Sequence, residues 1–338
     1  MTPIHKIIPV WGSAYTRCLI EIGLPALLAP GNLPALGRHE GNLCHIVTTA
    51  DDRAAIECAS VFRPLADVID VRFETIDSVC KVSEDRHAWQ SYCYRIGMAA
   101  ANERGAAMVF LNPDVVVADG GLNSLVMLLH RGKRAVQVLG IRLVKETVVP
   151  ALISQFTSKD RTQLIITPRQ LIALAMAHLH PLTKMHLYDA PECDLVPSAL
   201  FWRVGLEGMV ARCFHLHPML VHPRVSNAAF STTIDDDYLR AACPSPDDEH
   251  VVVDSDEFCA CELSGLERGS KGLSRMEPDN DVAQWAWAAA KPHHFENFVR
   301  HIVLRGDLND EVKWREVCAQ ADGAVGRILQ GVLARACG

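Results

Sequence analysis

The sequence lacks any apolar run of the roughly 20 residues that a membrane-spanning helix needs, although 49% of its 338 residues are hydrophobic. The stretch 164–179 is apolar but is interrupted by Pro168, Arg169 and Gln170. We therefore expect a buried core helix there and no transmembrane segment. A peripheral membrane contact stays open, because Trp285 and Trp287 cannot share one face of a helix and one of them is free to contact a partner.

An excess of basic residues is also missing. The chain has 33 Lys and Arg against 40 Asp and Glu, which gives a formal net charge of −7. Nucleic-acid-binding proteins concentrate Lys and Arg on one face, so this balance argues against a nucleic-acid partner. The proportions are otherwise those of ordinary globular proteins, and the length allows two domains or one large domain with an appendage.

The twelve cysteines lack the spacing of a zinc site or a disulfide framework. Only Cys259-x-Cys261 forms a close pair, and no second pair follows at zinc-finger spacing. No secretory apolar segment is recognisable near the N-terminus. These features predict a reduced, cytoplasmic protein with buried thiols.

The first half of the chain alternates apolar strands with helical patterns. Strands are predicted at 5–10, 43–48, within 66–73, at 108–111 and at 135–141, and helices at 14–28, 53–60, 84–104 and 121–131. Strands separated by helices of about ten residues or more indicate βαβ units. The predicted fold class is therefore α/β, with a mainly parallel, mixed sheet flanked by helices.

The second half is less regular. A helix is predicted at 168–180, strands at 199–202, 213–221 and 250–254, a linker at 267–281 and a helical tail at 282–337. Together these patterns predict a nucleotide-binding half at 1–145, an acceptor-binding half at 146–266, and a linker with a helical C-terminal region at 267–338.

The strand that ends in Asn112-Pro113-Asp114 carries the strongest chemical signal. Open α/β sheets bind their ligands outside the carboxyl ends of their strands. The Asp114 carboxylate can bind a hard cation such as Mg²⁺ or Mn²⁺, and the Asn112 carbonyl can contact ribose or the metal. A simple strand-ending turn explains the same three residues equally well.

Two earlier strands end in further candidate ligand contacts. Trp11 and Gly12 follow the first strand, where an aromatic ring can stack on a base and glycine permits close backbone approach. Asp51 and Asp52 follow the second strand, where a carboxylate can accept a hydrogen bond from a base or ribose, or can cap the next helix. Binding is favoured for Asp51 and capping for Asp52.

This order of elements, with a Trp-Gly loop, a strand followed by TTADD, and a strand ending in NPD, resembles the nucleotide-binding half of a bacterial-type GT-A glycosyltransferase over residues 1–145. In that family an apolar strand presents a D-x-D motif whose metal, Mn²⁺ or Mg²⁺, binds the donor diphosphate. Asp114 matches the second acidic position, whereas Asn112 departs from the first. The resemblance implies a nucleotide-sugar donor.

Other polar clusters are candidates for the remaining roles. One of Asp235, Asp236 and Asp237 can act as general base toward an acceptor hydroxyl, although such a triplet also suits a helix N-terminus. His215 and His217 are predicted to share one face of a strand. The resemblance makes His217 a candidate second metal ligand, and a structural pair of hydrogen-bonded histidines explains the pattern equally well. Arg142 is a candidate for a phosphate contact, and Asp254-x-Asp256 is a competing acidic motif.

The sequence thus predicts a metal-assisted glycosyltransferase that moves a sugar from a nucleoside diphosphate to a hydroxyl acceptor. The acceptor can be a glycan, a lipid-linked glycan or a protein. A nucleotidyltransferase and a non-catalytic, degenerate transferase domain that acts as a binding scaffold are the alternatives.

Overall fold

The structure is a computed structural model. It describes residues 2–76, 86–228, 234, 238–269, 272–274, 277–307 and 310–337.

The strands are β1 (Ile4–Pro9), β2 (Leu43–Thr48), β3 (Asp70–Thr75), β4 (Ala107–Phe110), β5 (Val115–Val117), β6 (Ala135–Val138), β7 (Ile141–Val144), β8 (Glu192–Cys193), β9 (Ala199–Arg203), β10 (Gly208–Cys213), β11 (His217–Val221), β12 (Glu249–Val251), β13 (Ala260–Ser264), β14 (Leu273–Ser274) and β15 (Ile302–Arg305). The helices are α1 (Ser13–Cys18), α2 (Leu24–Leu27), α3 (Leu33–Leu36), α4 (Ala50–Glu57), α5 (Phe62–Val68), α6 (Arg86–Glu103), α7 (Gly121–His130), α8 (Lys145–Phe156), α9 (Pro168–Ala177), α10 (Pro181–Lys184), α11 (Leu239–Ala242), α12 (Pro278–Ala289), α13 (Pro292–Phe298) and α14 (Glu311–Cys337). A π-helical segment, Leu19–Gly23, joins α1 to α2, and a 3₁₀ turn covers Pro246–Asp248.

Seven of the described strands form one sheet in the order β12-β6-β11-β4-β1-β2-β3. Strands β1 to β4 run parallel, and β12 runs parallel to β6. Strand β11 lies antiparallel between β4 and β6. The predicted fold class, α/β with a mainly parallel, mixed sheet flanked by helices and a helical C-terminal region, is confirmed.

The chain folds into two compact units, each built from three segments. The first contains 1–138, 149–167 and 217–251, and the second contains 139–148, 168–216 and 252–338. The seven-stranded sheet belongs to the first unit. The domain boundaries predicted after residues 145 and 266 were inferred from sequence composition and pattern, not from spatial contacts. They stay a prediction.

Helix α6 lies directly on β1 in the core of the first unit. A β-carbon placed on Gly97 would lie 2.4 Å from Cγ2 of Ile7, a fully buried side chain. The core beneath α6 also contains Tyr94, Met98 and Phe110. The close approach of helix and sheet therefore depends on the missing side chain at position 97.

The second unit is built around its C-terminal helices. Strands β9, β10 and β15 form an antiparallel sheet, and β13 pairs with β7 in parallel. Its apolar core includes Trp202, Phe214 and Phe298 together with the inner faces of α12 and α14. Trp285 packs against this core, whereas Trp287 is 55% exposed, so the two tryptophans do lie on different faces as predicted.

The predicted strand at 135–141 was wrong, because β6 ends at Val138 and β7, in another sheet, begins at Ile141. Two further predictions were also wrong. The stretch 213–221 is not one strand, because β10 ends at Cys213 and β11 begins at His217. The chain leaves one sheet and enters another there, so His215 and His217 do not share a strand face. The predicted helical tail also contains a strand, β15, which alternating burial of Ile302 and Leu304 supports.

Among the side chains that the structure describes, ten cysteines are free thiols, and eight of them are buried. Burial raises the pKa of the Cys44 thiol and of the Cys213 thiol to about 12. Buried thiols are what the sequence predicts. Among the helices in the described part of the chain, none is both long and apolar enough to span a bilayer. The cytoplasmic location stays a prediction.

Candidate nucleotide-binding site

The order of strands places a topological switch point between β1 and β4. The chain continues from β1 to β2 and β3 on one side, and β4 adds on the other side of β1. Connections that depart in opposite directions leave a crevice at the carboxyl ends of these two strands, which is where open α/β sheets bind ligands. Trp11 and Gly12 follow β1, and Asn112 and Asp114 follow β4, so the sheet brings these predicted residues to one edge.

The loop after β1 is fastened to the start of α4 by Asp52. Its Oδ2 accepts hydrogen bonds of 2.8 Å from the Gly12 backbone N–H and the Thr49 hydroxyl. Its Oδ1 accepts a third, also 2.8 Å long, from the Thr16 hydroxyl. Gly12 has φ 85°, a conformation that glycine adopts without the strain of a β-carbon. Asp52 therefore holds the glycine turn in place.

Thr49 is the N-cap residue of helix α4, and it forms the motif Thr49-x-x-Asp52 with the residue three positions later. The Thr49 side chain accepts a 3.2 Å hydrogen bond from the Asp52 backbone N–H, which satisfies one of the free donors of the first turn. Asp51, one residue earlier, is exposed in that turn. With Asp52 engaged by three donors, Asp51 is the carboxylate that this edge leaves open to a ligand, and its binding role stays a prediction.

Trp11 is half-buried and packs against a small apolar cluster formed by Val47, Ile76 and Cys93. This cluster lies at the ends of β2 and β3 and on α6. One side of the indole is thus supported by the protein. A supported ring with an accessible portion suits stacking on a planar base, which is the predicted role of Trp11.

Asn112 is held by two donors from α6. Its Oδ1 accepts a 2.6 Å hydrogen bond from Gln90 Nε2 and a 2.7 Å hydrogen bond from the Tyr94 hydroxyl. Gln90 and Tyr94 are four residues apart and so lie on one face of the helix. The Tyr94 ring packs edge-on against Phe110, with centroids 5.2 Å apart. The spacing of four between Gln90 and Tyr94 is visible in the sequence, whereas their contact with Asn112 depends on the fold.

Asp114 and His217 lie at the same edge of the sheet. Asp114 is only 5% exposed, unusually low for a carboxylate in a loop. His217 is the first residue of β11, whose antiparallel direction brings its start beside the end of β4. The His217 Nε2 atom lies 3.4 Å from the Phe110 carbonyl oxygen. Their predicted roles as metal ligands are untested.

The described residues do not by themselves fit a divalent metal. Both lone pairs of the Asn112 carbonyl oxygen are occupied by donors. Within the described ranges, no group of three His, Cys, Asp or Glu side chains could hold an ion. Asp235, Asp236 and Asp237 lie outside the described residues, so their predicted role as general base and the expectation of Mn²⁺ or Mg²⁺ stay predictions.

Arg142 and the second acidic motif belong to the other unit, where each is engaged in ion pairs. The Arg142 Nε lies 3.4 Å from Glu262 Oε2 on the neighbouring strand β13. Asp256 accepts three hydrogen bonds from Arg169, and Asp254 Oδ2 lies 3.1 Å from Nε of Arg305. Guanidinium groups thus neutralise both carboxylates of Asp254-x-Asp256, which disfavours that motif as a cation site. The predicted phosphate contact of Arg142 stays a prediction.

No protein-family model matches the sequence, and no curated protein matches it. Among solved structures, S. aureus TarS 1–349 aligns with TM-score 0.28 and 8% identity over 41% of this chain and 36% of that chain. A Bacillus anthracis protein assigned as a glucose-1-phosphate thymidylyltransferase aligns with TM-score 0.27 and 10% identity over 42% of this chain and 55% of that one.

The chain therefore spans about a third to a half of the length of these proteins. TM-scores this low support no inference about fold or function. The sheet order and the side chains at its carboxyl edge carry the evidence for function.

Proposed function

We propose that the chain is a glycosyltransferase of GT-A type that binds a nucleoside-diphosphate sugar at the carboxyl edge of the seven-stranded sheet. The observation that carries this proposal is the switch point between β1 and β4. There the sheet collects an aromatic ring, a glycine turn, an amide and a buried carboxylate at the position where this architecture binds ligands.

The residues divide into three sets by what they offer a nucleotide sugar. Trp11 offers a supported aromatic face for the base, and Asp51 offers an exposed carboxylate for a base N–H or a ribose hydroxyl. Asn112 offers an amide to the diphosphate, and Asp114 offers a carboxylate to the sugar. A hydroxyl acceptor then needs a general base for attack on the anomeric carbon, the role proposed for one of Asp235, Asp236 and Asp237.

Binding of the donor is expected to stabilise the protein strongly. A ligand that binds only the native state, present at one hundred times its Kd, adds about 2.7 kcal/mol to the free energy of unfolding. Thermal unfolding is measured with UDP, GDP and CDP and with their sugars, each with Mn²⁺ and with EDTA. Asp114→Ala should lose most of the stabilisation.

The matched control is Asp256→Ala, which alters the other acidic motif and should keep the full stabilisation. If Asp256→Ala loses the stabilisation and Asp114→Ala keeps it, the site is not at the β1–β4 edge.

Product analysis with the stabilising sugar nucleotide then distinguishes glycosyl transfer, nucleotidyl transfer and binding without catalysis. Release of the nucleoside diphosphate indicates glycosyl transfer, whereas pyrophosphate release from a nucleoside triphosphate and a sugar 1-phosphate indicates nucleotidyl transfer. Binding without either product indicates a scaffold.

A further inference from the structure

Asn112 takes the position of the first carboxylate of a D-x-D motif, and its side-chain oxygen is held by two donors from helix α6. Gln90 Nε2 and the Tyr94 hydroxyl both donate to its Oδ1, at 2.6 and 2.7 Å. Tyr94 is 3% exposed and is fixed by its edge-on contact with Phe110, which is itself fully buried. A rigid helix face therefore sets the orientation of the Asn112 side chain.

This orientation decides which chemistry Asn112 can offer. An amide oxygen has two lone pairs, and both are occupied here. The amide nitrogen carries two N–H donors, and neither has a hydrogen-bond acceptor among the residues that the structure describes. A cation cannot bind through a nitrogen that carries only N–H donors, whereas an anionic oxygen can accept from it.

We propose that Asn112 is a fixed hydrogen-bond donor to a diphosphate oxygen of the nucleotide, and that this contact replaces a metal-mediated one. The inference rests on the proposed function, since it assigns a binding mode within the same site. A carboxylate at this position would repel the diphosphate and would need a cation between the two groups. The neutral amide binds the diphosphate directly, so nucleotide binding does not require a divalent ion.

The test compares Asn112→Asp with Asn112→Ala and the wild-type chain, with UDP, GDP and CDP as ligands, in EDTA and in Mn²⁺. In EDTA, both variants should bind at least about tenfold more weakly than wild type, because a hydrogen bond to a charged group is lost. Asn112→Asp should be the weaker of the two, since a carboxylate also repels the phosphate. The unfolding temperatures of the unliganded variants show whether each is folded.

A second pair of variants tests the orientation separately from the charge. Tyr94→Phe removes one donor to Asn112 and should weaken binding, whereas Tyr92→Phe, on the exposed face of the same helix, should not. Tyr94→Phe that binds as tightly as wild type in EDTA would overturn the inference.

Each other outcome also has a definite meaning. Asn112→Asp that binds as tightly as wild type in EDTA would overturn the inference, because it would show the carbonyl rather than the N–H group facing the ligand. Wild-type binding that requires Mn²⁺ would also overturn it, while leaving the proposed function standing. A wild-type chain that binds no nucleotide, with or without Mn²⁺, would overturn the proposed function and this inference together.

Discussion

Lowering the pH from 7 to 5 is expected to reduce the free energy of unfolding by about 2 kcal/mol for each of two buried histidines. His5 on β1 and His45 on β2 are fully buried on one face of the sheet, and their ring nitrogens have no hydrogen-bond partner among the described residues. Burial is the main cause that lowers the pKa of each to about 4. Their mutual repulsion lowers that of His5 further, and Arg72 lowers that of His45.

The direction of the effect follows from proton binding. Between pH 6.5 and pH 4 the unfolded chain binds protons at these histidines and the folded chain does not, so stability is complete above pH 6.5 and is lost as the pH falls. Chemical denaturation as a function of pH measures this loss. The double variant His5→Leu/His45→Leu should lose much less stability between pH 7 and 5, and His39→Leu, at an exposed site, should behave like wild type. An unchanged acid dependence in the double variant would contradict the explanation.

Replacement of Gly97 by valine is expected to destabilise the first unit by about 3 kcal/mol, the upper part of the range for overpacked cores. The new β-carbon would lie 2.4 Å from Cγ2 and 3.0 Å from Cγ1 of Ile7. Ile7 is fully buried and branched at its own β-carbon, so it has little freedom to move away. Helix α6 would have to shift, and Gln90 and Tyr94 would shift with it.

The matched control is Gly326→Val, in the long helix α14. That glycine is exposed, and a β-carbon there would meet nothing within 4 Å. Since valine is slightly better than glycine in a helix, Gly326→Val should be neutral or mildly stabilising. Denaturant unfolding measures both variants. Equal losses at the two positions, or none at Gly97, would contradict the packing argument.

Much of the first unit is predictable from local pattern. Strand β2 occupies the predicted range, 43–48, and β4 and α6 begin and end within two residues of their predicted ends. Buried strands of parallel sheets are continuous apolar runs, which makes them easy to recognise. The helix after β1 extends to Leu27 despite Pro25, because a π-helical segment just before the proline changes the backbone hydrogen bonding.

The structural features that the sequence did not predict depend on contacts between residues far apart in the chain. Strand β11 follows β10 closely but pairs with β4 and β6, more than 70 residues earlier. The carbonyl orientation of Asn112 depends on Tyr94, and the Gly12 turn depends on Asp52. Local pattern therefore locates which residues reach the sheet edge, whereas long-range hydrogen bonds decide which atoms they present.

Amide hydrogen exchange shows directly whether a nucleotide binds at the β1–β4 edge of the sheet. Exchange is followed by mass spectrometry with and without UDP, GDP and CDP. We expect the stabilising nucleotide to protect peptides that contain 10–16, 48–53 and 111–115, and to leave peptides that contain 254–256 unchanged. Protection confined to 254–256 or to other parts of the second unit, with none at the three β1–β4 peptides, would contradict the account.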